Sequence, residues 1–98
     1  MPEMWFDIVW PDGQPERCYS PSLVIAETVS EGQSYTVADF MRLIGEALHE
    51  ASERVRRKYG FPCSMAMAQR ATLERGYQRY AGTPDATMRV EKFLSKDA

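Results

Sequence analysis

The sequence is poor in the residues that build metal sites and disulfide frameworks. Its 98 residues include two cysteines, Cys18 and Cys63, and one histidine, His49. Two cysteines are too few for a disulfide framework, and without a Cys-x-x-Cys pair they leave a zinc ion short of ligands. We therefore expect a reduced, cytoplasmic protein with no metal and no cofactor.

The sequence also lacks long apolar runs and an excess of basic charge. No stretch approaches the ~18 apolar residues of a membrane span, and the N-terminal residues MPEMWFDIVWPDG lack a secretory signal pattern. The 12 basic and 14 acidic residues give a net charge of -2, whereas nucleic-acid-binding domains are usually basic. We expect neither a membrane nor a nucleic acid as partner.

The small net charge conceals an uneven distribution. Residues 1–35 carry six acidic groups and one basic group, whereas residues 36–80 carry eight basic and five acidic groups. These balances of -5 and +3 indicate that the two parts form different layers, which either attract each other or face a partner.

Residues 4–10, MWFDIVW, followed by Pro11-Asp12-Gly13, predict a β-hairpin whose second strand covers residues 15–19. Proline presets the turn, and glycine can take the left-handed conformation that a bulged hairpin needs. Alternation places one set of side chains on the core face: Met4, Phe6, Ile8 and Trp10. Trp5 and Val9 make the second face partly apolar, so residues 21–35 or a second subunit should cover it.

Residues 21–30 fit either a helix or a strand, and we favour a short helix or turn. In that interpretation Ser20 is the N-cap and Pro21 occupies the first helical position. Residues 31–34 are interpreted as a loop.

Two further helices and a final strand complete the predicted fold. A 3.6-residue apolar stripe predicts an amphipathic helix from Thr36 to Tyr59, which Gly60 ends. A second helix covers about residues 64–80, and residues 86–93 alternate as a strand. The predicted fold is one α+β domain spanning residues 1–98, with a three-stranded antiparallel sheet (N-terminal hairpin plus C-terminal strand) and two antiparallel helices on one face.

The sequence contains no glycine-rich phosphate loop, nucleophile elbow or paired-carboxylate motif. Cys63 stands at the predicted start of a helix, where the helix dipole can lower the pKa of a thiol; alternatively it is a small apolar residue at the helix joint. His49 is interpreted as a partly exposed helix residue. The basic run at residues 54–58 is either a solvated face or a surface for an acidic partner.

Several short motifs, taken together, resemble one small bacterial family, the nitrogen-starvation response proteins. They are Trp10-Pro11-Asp12-Gly13, Cys18-Tyr19-Ser20-Pro21-Ser22, Gly32 and Tyr35 ahead of Asp39-Phe40, Ala51-Ser52-Glu53-Arg54-Val55-Arg56, and Lys58-Tyr59-Gly60-Phe61 with Cys63. The resemblance covers nearly the whole chain. This family is encoded in a gene cluster with a nitrilase, a radical-SAM protein, an acyltransferase and a flavin-dependent monooxygenase. The resemblance implies a role beside enzymes of nitrile or cyanide nitrogen use, and it implies no catalytic residue.

We predict a non-enzymatic accessory or interaction protein that forms a homodimer and has enzymes of this gene cluster as further partners. The alternative is a small enzyme or ligand-binding protein that acts on a nitrogen-containing small molecule and has Cys63 in its site. If the segments 10–13, 18–22 and 54–63 meet in space, they form the candidate ligand or partner surface. Its members are Trp10, Asp12, Cys18, Tyr19, Ser20, Arg54, Arg57, Tyr59 and Cys63.

Overall fold

A computed structural model describes residues 3–95 of the chain. In chain order the elements are β1 (Met4–Val9), β2 (Pro15–Ser20), α1 (Val24–Thr28), β3 (Ser34–Thr36), α2 (Val37–Tyr59), α3 (Ser64–Gln78) and β4 (Thr87–Ser95). The predicted α+β class is confirmed, with its N-terminal hairpin, two long helices and C-terminal strand.

The sheet has four antiparallel strands in the order β2-β1-β4-β3. The prediction of three strands was therefore wrong by one. The additional strand is β3, in which Ser34 pairs with Arg89 and Thr36 with Thr87. With three residues it is too short to show the alternation that identifies a strand, and its last residue also caps the next helix.

One face of the sheet carries the core. The four alternating side chains predicted to point inward are each at most 2% exposed: Met4, Phe6, Ile8 and Trp10. From the helices, Phe40, Ile44 and Leu73 join the same apolar cluster. On the outer face Trp5, Asp7 and Val9 are only half-buried, and α1 packs against α2. The outer face of the sheet thus keeps a partly exposed apolar surface.

The start of α1 differs from the prediction. The helix begins at Val24 with Leu23 as its N-cap residue, and the hydroxyl oxygen of Ser22 accepts a hydrogen bond from the Val24 N–H at 3.2 Å. The hydroxyl of Ser20 instead donates to the carbonyl oxygen of Ser22 at 2.7 Å. The same hydroxyl accepts from the Ser22 N–H at 3.3 Å, so it closes a local turn ahead of the helix. Ser20 is therefore not the N-cap of α1, which starts about one turn later than predicted.

Helix α2 runs the length of the molecule. Its 23 residues span about 34 Å, and the molecule measures 39 × 26 × 18 Å. The Thr36 hydroxyl accepts a hydrogen bond from the Asp39 N–H at 3.1 Å, which confirms the predicted cap. Gly60 ends the helix with a left-handed φ of 90° and donates to the Arg56 carbonyl at 2.8 Å.

Helix α3 returns along α2, because only residues 60–63 separate the two helices. One glycine of each helix faces a large side chain from another part of the fold. A Cβ at Gly45 of α2 would lie 3.6 Å from Nε of Arg70, and a Cβ at Gly76 of α3 would lie 2.6 Å from Cζ2 of Trp10. No helix in residues 3–95 is long and apolar enough to cross a membrane.

Candidate functional site

The candidate site lies where α2 turns into α3. Gly60 reverses the chain after α2, and Cys63 is the N-cap residue of α3. The Cys63 side chain is half-buried and makes no capping hydrogen bond. Cys63 lines a cleft between the joint and the sheet.

This cleft has a volume of about 230 Å³ and is lined by Glu3, Tyr19, Pro21, Val55, Tyr59 and Cys63. The Tyr19 hydroxyl donates to Oε2 of Glu3 at 3.0 Å, and the Tyr19 backbone N–H donates to Oε1 of Gln69 at 2.9 Å. Strand β2 is an edge strand, so the Gln69 contact satisfies a backbone group that would otherwise be open to another strand. The end of β2 is thereby attached to α3.

The two buried ionisable groups of β2 are held neutral. Burial is the main cause that raises the pKa of Tyr19, and the hydrogen bond to Glu3 is the second. The phenol therefore remains a hydrogen-bond donor. Burial likewise raises the pKa of the Cys18 thiol. Cys18 is therefore a packed core residue rather than a nucleophile.

The outer side of the joint exposes large apolar side chains. Tyr59 is 53% exposed, Phe61 66% and Met65 50%, and we call these three residues the joint surface. The neighbouring basic residues Arg56, Arg57 and Lys58 are also exposed, and Nζ of Lys58 lies 5.5 Å from the centre of the Tyr59 ring. The joint surface is thus apolar with a basic flank.

Some of the predicted site residues meet at this place. Tyr19, Tyr59 and Cys63 line the cleft. Ser20, beside Tyr19, is buried and uses its hydroxyl in the turn to Ser22. Cys18 is fully buried in the core.

Arg54 and Arg57 belong to an ion cluster further back on α2. Nη2 of Arg57 lies 3.0 Å from Oε1 of Glu50, and Nε of Arg54 lies 3.3 Å from the same oxygen. Hydrogen bonds from both arginines lower the pKa of Glu50, and the bond from Arg57 has the larger effect. Arg54 also lies 3.6 Å from Glu27 of the acidic N-terminal third, so the two differently charged parts of the sequence meet within the fold.

Trp10 and Asp12 lie away from the cleft. Met4 pairs with Ser20 at one end of the hairpin and Val9 with Pro15 at the other, which separates the ends by about 17 Å. Asp12 accepts a hydrogen bond from the Gln14 backbone N–H within the turn. The hypothesis that all three segments meet in space is therefore wrong for the segment 10–13.

Trp10 has a packing role instead. Its indole N–H donates to Oε1 of Glu16 at 2.9 Å, and its ring stacks on Tyr80 with a centroid distance of 5.8 Å. The side chain is 2% exposed, so it joins the hairpin to the end of α3.

Sequence reasoning did not single out Met65, Gln69 or Glu3, although each belongs to this region. A usable signal for Met65 is its position in the first turn of α3, three residues after Pro62, where the apolar stripe of α2 has ended. Among residues 3–95, no group of three or more His, Cys, Asp or Glu side chains is arranged to hold a metal ion.

A comparison with curated proteins and with solved structures finds no match. A family model does match, and it covers residues 5–93, nearly all of the fold described above. The chain therefore belongs to the NitG family, the nitrogen starvation-induced proteins.

Proposed function

We propose that the protein is a non-enzymatic docking module of the bacterial nitrogen-starvation response. It acts in the cytoplasm alongside the enzymes of nitrile or cyanide nitrogen use that are encoded with its family. The joint surface is its contact with one of these enzymes.

The observation that carries the proposal is the exposure of Tyr59, Phe61 and Met65 within seven consecutive residues. Clustered exposed apolar residues mark interaction sites, and aromatic side chains dominate interface energetics. The joint is also held by the fold, because Gly60 donates to the Arg56 carbonyl and the Gln69 contact attaches α3 to β2. A partner therefore meets a preformed surface.

The basic flank specifies the chemistry of the partner. Arg56 and Arg57 are each paired with a glutamate of α2, whereas Lys58 contacts the face of Tyr59. We expect an apolar patch on the partner with an acidic rim, because opposite charges around an apolar contact accelerate association and exclude wrong partners.

Binding of each purified co-encoded enzyme to the immobilised chain tests the proposal. We expect one of the four enzymes to bind, and Phe61→Ser and Met65→Ser to weaken its affinity by about tenfold or more each, as expected for residues at the centre of an interface.

Met67→Ser is the matched control. Met67 is 57% exposed and lies two residues from Met65, which places it about 200° around α3. It should leave the affinity unchanged. The proposal fails if none of the enzymes binds, or if Met67→Ser weakens binding as much as Met65→Ser.

We also propose a homodimer that forms through the outer face of the sheet. This face combines half-buried apolar residues, including Val9, with the ion pair of Asp7 and Arg17 and with Lys92. A two-fold axis can set such mixed charges against each other around an apolar centre. Light scattering should show a dimer at micromolar concentration and a monomer for Val9→Arg, whereas a uniform 11.2 kDa species for the native chain contradicts the dimer.

The competing function is an enzyme or binding protein for a nitrogen-containing small molecule, with Cys63 in its site. It is supported by the place of the half-buried thiol in the cleft with Tyr19 and Tyr59. The pH dependence of alkylation separates the two functions. A reactive Cys63 must be alkylated well below the ordinary thiol pKa of about 8.5, whereas docking alone predicts ordinary reactivity.

A further inference from the structure

A second concave feature lies between α2 and α3, on the side of α3 that carries Met67. This groove has a volume of about 270 Å³. Leu48 and Ala66 are each 1% exposed, and they form its apolar floor with Met67 and Pro62. Ser52, which is 6% exposed, adds one hydroxyl to this floor.

Arg70 lies at the centre of the groove. Two shallower cavities, of about 380 and 400 Å³, adjoin the first, and Arg70 lines all three. The Arg70 guanidinium faces Gly45 of α2, and its atoms lie 3.6 to 4.0 Å from where a Cβ at this position would stand, which is ordinary contact distance. The guanidinium therefore lies over α2.

The hydrogen-bonding capacity of Arg70 is largely unused. Its closest carboxylate contact joins Nε to Oε1 of Glu74 at 3.6 Å, which is too long for a hydrogen bond, and a guanidinium has five N–H donors. Arg56 also lines the groove and lies 3.4 Å from Glu53. The carboxylates of Glu53 and Glu74 balance the formal charge of Arg56 and Arg70, so the distinguishing feature of Arg70 is its set of unused N–H donors.

We propose that this groove binds a small monocarboxylate with an apolar body. The carboxylate would accept two parallel hydrogen bonds from the Arg70 guanidinium, a geometry that arginine and carboxylate match closely. The body of the ligand would lie on Leu48, Ala66 and Met67. The ligand site is distinct from the joint surface, so it stands whether or not a protein binds there.

The apolar floor decides between a carboxylic acid and an inorganic anion. Phosphate or sulfate could pair with Arg70 but would gain nothing from Leu48 and Ala66, whereas an organic acid buries its hydrocarbon there. Benzoate is a suitable probe, because it joins one carboxylate to a hydrocarbon body small enough for the groove.

Amide NMR of the native chain during titration with benzoate tests the proposal. We expect saturable shifts in the millimolar range for the amides that line the groove, with smaller effects from benzyl alcohol and from inorganic phosphate. Benzyl alcohol has the aromatic ring of benzoate without its charge, whereas phosphate has a negative charge without a ring.

Arg70→Gln should weaken benzoate binding by about tenfold, and Arg70→Lys should weaken it less because the charge remains. Arg75→Gln is the matched control, since Arg75 is an exposed arginine of α3 outside the groove. Both positions are exposed, so the three variants should fold, and their melting temperatures check this.

Three outcomes would overturn the proposal: no saturable shift with benzoate, equal binding of benzyl alcohol, or equal binding by the Arg70→Gln variant. Shifts confined to residues 59–65 would also contradict it, because they would place the ligand on the joint surface.

Discussion

The contact between Gly76 and Trp10 offers a sharp test of how the hairpin is attached to α3. A Cβ added at Gly76 would stand 2.6 Å from Cζ2 and 2.9 Å from Cη2 of the Trp10 ring. Such distances require one partner to move. The ring cannot move freely, because it stacks on Tyr80 and its N–H is bonded to Glu16.

The expected effect of Gly76→Ala follows from opposing contributions. Alanine in a helix interior gains about 1 kcal/mol over glycine. Overpacking costs about 1–3 kcal/mol, and a displaced ring loses about 0.5–1.5 kcal/mol of stacking. We expect a net loss of about 1.5 kcal/mol, which lowers the melting temperature by about 6–12 °C in a domain of this size.

Urea denaturation followed by circular dichroism measures this loss. Gly45→Ala is the matched control, because its Cβ would make only ordinary contacts of 3.6 Å or more with the Arg70 side chain, and it should not lower the free energy of unfolding. In a Trp10→Leu background the clash is absent, so Gly76→Ala should become neutral or stabilising. Equal or higher stability of Gly76→Ala in the native background would refute the packing argument.

Two further predictions concern the cap of α2 and the acid stability of the sheet. Thr36→Ala removes the oxygen that accepts from the Asp39 N–H and should reduce the free energy of unfolding by about 1 kcal/mol, measured by the same urea titration; an unchanged midpoint would contradict the role of this cap. The hydrogen bond from Arg17 lowers the pKa of Asp7, so its stabilising contribution is present above the unfolded-state pKa of about 3.9 and is lost as the pH falls through the lower folded-state pKa. Asp7→Asn should therefore show a smaller loss of stability between pH 5 and acid than the native chain, and an identical pH profile would argue against this ion pair.

Elements with a strong periodic pattern were predicted well. The stripe of α2, its threonine cap and its terminal glycine are local signals that agree with each other, and the structure confirms all three. The hairpin was equally clear, because Pro11-Asp12-Gly13 separates two segments with strand character. In both cases local chemistry and burial favour the same conformation.

The sequence was less informative where tertiary contacts decide the structure. Strand β3 depends on pairing with β4, which lies more than 50 residues away in the chain. For a related reason, the predicted candidate surface included two residues that lie away from the cleft. Trp10 and Asp12 resemble recognition residues in the sequence, but their side chains serve the hairpin turn and the contact with α3. The predicted hairpin already places them at its turn, and the pairing register confirms that Tyr19 lies towards the opposite end.

The joint surface was only partly visible in the sequence. Tyr59 and Cys63 were chosen from a motif, whereas the exposure of Phe61 and Met65 depends on how sharply α3 turns back along α2. Apolar residues at helical spacing are usually buried, so periodicity alone could not identify these as a contact surface.

The central claim is that the α2–α3 joint is the contact with a co-encoded enzyme. Amide hydrogen exchange of the chain, measured alone and in complex with the enzyme that binds it, tests this most directly. We predict slower exchange on binding for residues 56–65, with little change in the α2–α3 groove around Arg70. Unchanged exchange at residues 59–65, or protection centred on the outer face of the sheet, would contradict the account.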